Sequence, residues 1–115
     1  MSDSELNIFR SSLDLVLLKA LSWGPRHGYA VAEWVSQATS ATLLVEEGTL
    51  YPALHRLERK GWVSAEWGVS ANNRRAKFYE LTPSGRAQLR QETPTWLRHA
   101  EAVARALRSA APEPA

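Results

Sequence analysis

A mostly helical α+β fold is what three features of this 115-residue chain predict. Apolar residues recur at helical spacing in two segments before position 40 and in a third that ends at Gly61. Alternation of period two then takes over from Trp62 to Thr82. Helical spacing returns from Pro83 towards the C-terminus. The expected order is helix, helix, helix, strand, turn, strand, helix.

The first helix is expected from Ser12, a residue suited to capping, through the mostly apolar run Leu13 to Leu21. Trp23-Gly24-Pro25 stops it. Gly28 to Val35 reads as the second helix, with Val31, Trp34 and Val35 on one side and His27 at its N-terminus. Thr39-Ser40-Ala41-Thr42 is a small-polar connection, and Leu43-Leu44-Val45 is a candidate minor strand.

The third helix is the most informative. Thr49 is placed to cap it, Leu50 to open it and Pro52 to lie in its first turn, where a missing N–H costs nothing. Gly61 stands where a left-handed residue would end it. Leu50, Ala53, Leu54 and Leu57 form a buried stripe, while Glu46 and Glu47 lie at the positive end of the helix dipole. Tyr51, His55, Arg56 and Arg59 occupy the other side, a phenol, an imidazole and two guanidiniums suited to phosphates and base edges.

Trp62 to Trp67 and Lys77 to Thr82 have strand composition, and the segment between them contains Gly68 and the turn-forming pair Asn72-Asn73. From Val69 to Tyr79 there is no acidic residue, so Arg74, Arg75 and Lys77 make a cationic tip, with Asn73 beside them as a further candidate for DNA contact. A helix with a basic outer face followed at once by such a hairpin has the layout of a winged helix-turn-helix. Its helix would enter the major groove of duplex DNA, and its wing would reach a flanking phosphate or the minor groove.

Thr82 and Pro83 mark the start of the last helix, which runs to about Ser109. Leu89, Thr93, Trp96, Leu97, Ala100, Val103, Ala104 and Leu107 recur along it at steps of three and four. The three-helix core and hairpin already fill one domain, so this stripe is expected to pack against a second copy of the chain. The dimerisation residues would be Leu89, Leu97, Ala100, Val103, Ala104 and Leu107. Pro94 is expected to kink the helix or to start a new one capped by Thr93, and the stripe's unbroken phase favours the kink. Trp96, mid-stripe, is either an interface anchor or one wall of a site for a planar effector. The organisation is thus an N-terminal extension (1–9), a winged-helix DNA-binding domain (10–82), a dimerisation helix (83–109) and a disordered tail (110–115).

Composition sets outer bounds. A net charge of +2 is too small to argue for nucleic acid by itself, so the argument rests on where the positive residues stand. With no cysteine, disulfides and thiolate metal sites are excluded, and no metal or cofactor is expected. No run is apolar enough to span a bilayer and Met1 to Glu5 lacks the pattern of a signal peptide, so a cytoplasmic protein is expected. No catalytic motif is visible, and His27, His55 and His99 fall on different helices, so an enzyme is not expected. The alternative is a winged helix that serves only protein–protein contact.

Three stretches resemble the PadR-type bacterial transcriptional regulators over roughly residues 10 to 108: Pro25 to Tyr29, Gly48 to Glu58 and Lys77 to Gly85. Gly-Thr-Leu-Tyr-Pro-Ala-Leu-His-Arg-Leu-Glu is the most specific of them. The single C-terminal helix is similar to the short branch of that family. The resemblance implies a homodimeric repressor on a pseudo-palindromic operator, often answering to a small aromatic effector. It also places Tyr51 and Pro52 on the DNA-facing turn, next to Thr49, which is counted with the DNA-binding candidates, and leaves Tyr29 either at the DNA backbone or packed. Pro94 departs from what the family leads one to expect in that helix.

Overall fold

The structure, a computed structural model, describes residues 3–112, with side chains from Ser12 onward. Its elements are α1 (Asp3–Ala20), β1 (Arg26–His27), α2 (Gly28–Ala38), α3 (Glu47–Arg59), β2 (Val63–Val69), β3 (Arg75–Leu81) and α4 (Pro83–Arg108). This is the expected α+β winged helix with its long last helix. Three boundaries differ from the sequence reading. The first helix begins at Asp3, so Ser12 lies inside it and is not its cap. No glycine or proline interrupts residues 3–20, and the helical backbone runs back through the segment assigned to an extension. The third strand is Arg26–His27, which pairs antiparallel with β3 through Arg26↔Tyr79 and His27↔Phe78. Leu43-Leu44-Val45, the candidate minor strand, forms no strand; Val45 packs on the core, with Leu43 and Leu44 exposed.

The helix α3 starts at Glu47, with Glu46 as its N-cap and no side-chain cap bond. Thr49 is therefore inside the first turn, and Pro52 lies beyond it. The missing N–H of Pro52 leaves the Gly48 carbonyl without a helical donor. Both residues are on the exposed side, where water can take that carbonyl. At the other end Gly61 adopts φ +77°, the left-handed conformation the sequence predicts.

Leu17, Leu18 and Leu21 of α1 and its end, Val31 and Val35 of α2, and Leu50, Ala53, Leu54 and Leu57 of α3 form the core. Val63, Tyr79 and Leu81 close it from the sheet, whose order is β1-β3-β2. Emptying one of these leucine sites would cost about 2–5 kcal/mol. Burial pushes the Tyr79 phenol above its ordinary pKa, and the nearby Glu58 carboxylate adds to that.

The joint to α4 is tightly built. The Thr82 hydroxyl accepts from the Gly85 N–H at 3.0 Å and donates to the Gly61 carbonyl at 2.6 Å. Its backbone N–H reaches the Trp62 carbonyl at 3.1 Å. A Cβ at position 85 would overlap that same carbonyl, so only glycine fits. Beyond this joint the first half of α4 packs along α1, with Leu89 on the core and Trp96 bordering a groove shared with α1, while its later turns are mostly exposed; the molecule measures 67 × 28 × 28 Å. The helix passes through Pro94 without a break, so no second helix begins there. The Thr93 hydroxyl donates to the Leu89 carbonyl at 2.6 Å beside the proline. Residues 109–112 have no helix or strand. The expected tail's last residues, 113–115, and residues 1–2 of the expected extension lie outside the described residues.

Candidate nucleic-acid interface

The helix α3 has two polar sides with different surroundings. Towards α1, the Arg56 guanidinium donates to Asp14 at 2.7 Å, and Lys60 comes within 3.7 Å of the other carboxylate oxygen. Asp14 is only 6 % exposed. Arg56 is therefore held against the first helix and does not stand on the exposed face with Tyr51, His55 and Arg59, as expected from spacing. The sequence carried a signal for this. Asp14 is in helical phase with Leu17, Leu18 and Leu21, and a carboxylate on a buried stripe demands a cation.

Towards solvent, α3 presents His55 and Arg59, both exposed. His55 is 3.9 Å from Glu58, and Arg59 has no ion pair among the described residues. Thr49 and Pro52 are exposed on the same helix. Tyr51 is exposed at 42 %, but one side of its ring is covered: a Cβ at position 28 would lie 2.6 Å from its hydroxyl, so the ring rests on Gly28 at the start of α2. Gly28 thus leaves room for the tyrosine ring.

The wing is a regular hairpin in which Trp67 faces Lys77 and Val69 faces Arg75. Its tip closes by Ser70 N–H to the Arg74 carbonyl at 2.8 Å and Asn73 N–H to the Ser70 carbonyl at 2.9 Å. Asn73 sits at φ +59°, a left-handed position that asparagine tolerates, so its place is set by the turn. Arg74 is exposed at the tip. Arg75 lies over the Trp67 ring, 4.7 Å from its centre. Lys77 is not free of acidic neighbours as expected, because Glu58 of α3 is 3.8 Å away.

One cleft of about 760 Å³ runs between the wing and the start of α2. Tyr29, Tyr51 and Trp67 line it together with Arg74, Arg75 and Lys77, and no carboxylate does. Trp67 lines this cleft, although strand composition alone did not single it out. The signal was its phase: it alternates with Val63 and Ala65 on the core face, but two residues beyond the core's edge. At the start of α2, His27 acts as predicted, its Nδ1 accepting from the Ala30 N–H at 3.2 Å.

The remaining predicted residues lie on α4. Leu97, Val103 and Leu107 are exposed at 53 %, 43 % and 81 %, while Leu89 packs against the core. Ala100 and Ala104 are half-buried. Trp96 borders an apolar groove of about 490 Å³ between α1, α2 and α4, lined also by Leu15, Val16, Trp34, Leu89 and Leu97. Among the described residues no helix is long and apolar enough to cross a membrane.

Known proteins with this arrangement include regulators of transcription. The model of the transcriptional regulator PadR-like family matches residues 17–91. An uncharacterised protein of Lysinibacillus sphaericus is 30% identical over 90 residues, covering 78% of this chain and 83% of its own length. A transcriptional regulator of Mycobacterium tuberculosis is 42% identical over 60 residues, 51% of this chain and 55% of its own. A PadR-like transcription factor from Bacteroides fragilis superposes with a TM-score of 0.74 at 27% identity, covering 89% of this chain and 96% of that one.

Proposed function

Because the chain belongs to the PadR-like family of transcriptional regulators, whose members act through DNA and not as enzymes, we propose that it is a homodimeric repressor of a pseudo-palindromic operator. The observation that carries this reading is the exposed side of α3, where His55 and Arg59 stand beside a wing bearing Arg74, Arg75 and Lys77. Two such helices, one from each copy, would enter successive major grooves, with each wing on the flanking backbone. Thr49 and Pro52 lie on the same exposed side, and Tyr51 stands at its edge. Asn73 shapes the wing tip and is the least direct of the DNA-contacting set. Operators on the chromosome place the protein in the cytoplasm.

The exposed apolar residues of α4 support the dimer. Leu97, Val103 and Leu107 form an exposed apolar stripe along α4, and Ala100 and Ala104 allow close approach. Leu97→Asp or Leu107→Asp is expected to leave the head folded, convert the protein to a monomer in sedimentation, and weaken operator binding with it. Monomers for both wild type and variants would remove the dimer from the reading. The groove beside Trp96 supports a small aromatic effector, because its apolar walls suit a flat ring system. Planar aromatic compounds that quench wild-type fluorescence more than that of Trp96→Ala, and release DNA, are the expected result. Equal quenching would leave Trp96 as an anchor of the dimer.

The primary test is binding of duplex DNA across a range of salt, followed by footprinting on fragments enriched from the genome. Affinity that falls steeply with salt and a two-fold symmetric footprint are expected. Failure to bind duplex DNA under any salt would favour a protein–protein interaction module.

A further inference from the structure

We infer that Trp67 is a DNA-contacting and positioning residue: it forms one aromatic wall of the cleft between the wing and the start of α2, and that cleft grips one sugar–phosphate strand. The inference rests on the DNA-binding reading above and adds to it a contact that does not depend on charge.

Four observations carry it. Trp67 is 58 % exposed, although it shares a face of β2 with the buried Val63, so the fold itself does not require an indole there. Its ring is covered on one side by Arg75, whose guanidinium stands 4.7 Å from the ring centre. The opposite wall is also aromatic: Tyr29 is 71 % exposed and stacks on His27 at 6.4 Å between centres. Between the walls the cleft is lined by three cations and no carboxylate, which is the electrostatic complement of a phosphate chain.

Each part has a physical task. An arginine resting on an indole keeps its planar fork in one orientation, so less side-chain freedom is lost when a phosphate arrives. The uncovered part of the indole offers apolar surface to a deoxyribose, which is the least polar part of the backbone. Tyr29 and Tyr51 would bound the strand from the other side, with phenol hydroxyls able to donate to phosphate oxygens. Because sugar and phosphate are common to all sequences, the contact should strengthen binding to operator and random duplex alike.

The test compares wild type, Trp67→Ala, Trp67→Phe and Arg75→Ala on an operator duplex and on a random duplex, each over a range of salt. Trp67 is exposed, so thermal unfolding of its variants should match wild type and binding changes can be read directly. Trp67→Ala is expected to weaken both duplexes about tenfold, the scale of a lost ring contact on nucleic acid. The salt slope should change little, because no charge has been removed. Trp67→Phe should recover part of the loss. Arg75→Ala should flatten the slope by about one unit, and the double variant Trp67→Ala/Arg75→Ala should lose less than the two single losses combined. Acrylamide should also reach one fewer indole in the complex for wild type and the same number for Trp67→Ala. Wild-type affinity in Trp67→Ala, or an indole at 67 that stays open to acrylamide on DNA, would overturn the inference while leaving DNA binding in place. A wild-type protein that binds no duplex would remove both.

Discussion

The two arginines of α3 show how one helix divides its labour. Arg56 and Arg59 are three residues apart and identical in chemistry, yet Arg56 is turned towards α1 and closed onto Asp14 at 2.7 Å, while Arg59 is exposed. The difference comes from a single carboxylate on the neighbouring helix. Asp14 is nearly buried, so it needs a cation for the fold to tolerate it, and Arg56 supplies one with Lys60 nearby. One side of α3 is thereby fastened in place and the other left open for a partner. A recognition helix needs both, because base readout requires a fixed register as well as free side chains.

This division is broken most forcefully from the fastened side. Asp14→Ala leaves Arg56 and Lys60 facing each other over a hole, and about 3 kcal/mol of stability should be lost, the lower end for a buried pair because Arg56 is still one-fifth exposed. Thermal unfolding checks it. The paired change Asp14→Leu/Arg56→Met should regain most of that loss, since a matched apolar pair removes the uncompensated charge. If Asp14→Ala unfolds at the wild-type temperature, the ion pair does not hold α3.

The open side should behave in the opposite manner. Arg59→Ala is expected to leave unfolding unchanged and to cost about 1–3 kcal/mol of operator affinity where the guanidinium meets a base edge. The loss should be concentrated on one operator position and be small on random duplex. Equal losses on both duplexes would make Arg59 a phosphate contact instead.

Which side each arginine faces was half legible in the sequence. The apolar stripe of Leu50, Ala53, Leu54 and Leu57 is a local pattern, and all four are buried as spacing requires. Gly61, the hairpin and the start of α4 were equally local, each marked by a residue whose backbone or capping chemistry has few alternatives. Arg56 lies beside that stripe, and whether such a residue meets water or a partner depends on a helix 42 positions away in sequence. The carboxylate among leucines at position 14 held that information, but only once the two helices were known to cross. Trp67 was hidden for a related reason: alternation says which face a strand residue takes, and not where the core beneath that face ends. The pairing of Arg26–His27 with β3 leaves no mark in the sequence, because two residues are too short a run for any periodicity.

The wing sharpens the same contrast at smaller scale. Arg74 and Lys77 both count as cations of the hairpin, but Arg74 is exposed at the tip and Lys77 is drawn to Glu58 at 3.8 Å and lies over Tyr79 at 5.7 Å. A cation that already has a carboxylate nearby releases fewer counterions' worth of charge when DNA arrives. Arg74→Ala should therefore flatten the salt dependence by about one slope unit. Lys77→Ala should flatten it by less, about half a unit or below, and should weaken binding on operator and random duplex to the same small degree. Removing the carboxylate gives the reverse expectation. Glu58→Gln frees both Lys77 and His55 from their acidic neighbour, so binding should tighten modestly and the slope steepen. Salt titrations of the three variants on one duplex decide it: the order of slopes from flattest to steepest should be Arg74→Ala, Lys77→Ala, Glu58→Gln. A Lys77→Ala slope as flat as that of Arg74→Ala would mean that the lysine leaves Glu58 for phosphate on binding, and that this part of the wing, like Arg59 and unlike Arg56, belongs to the open side.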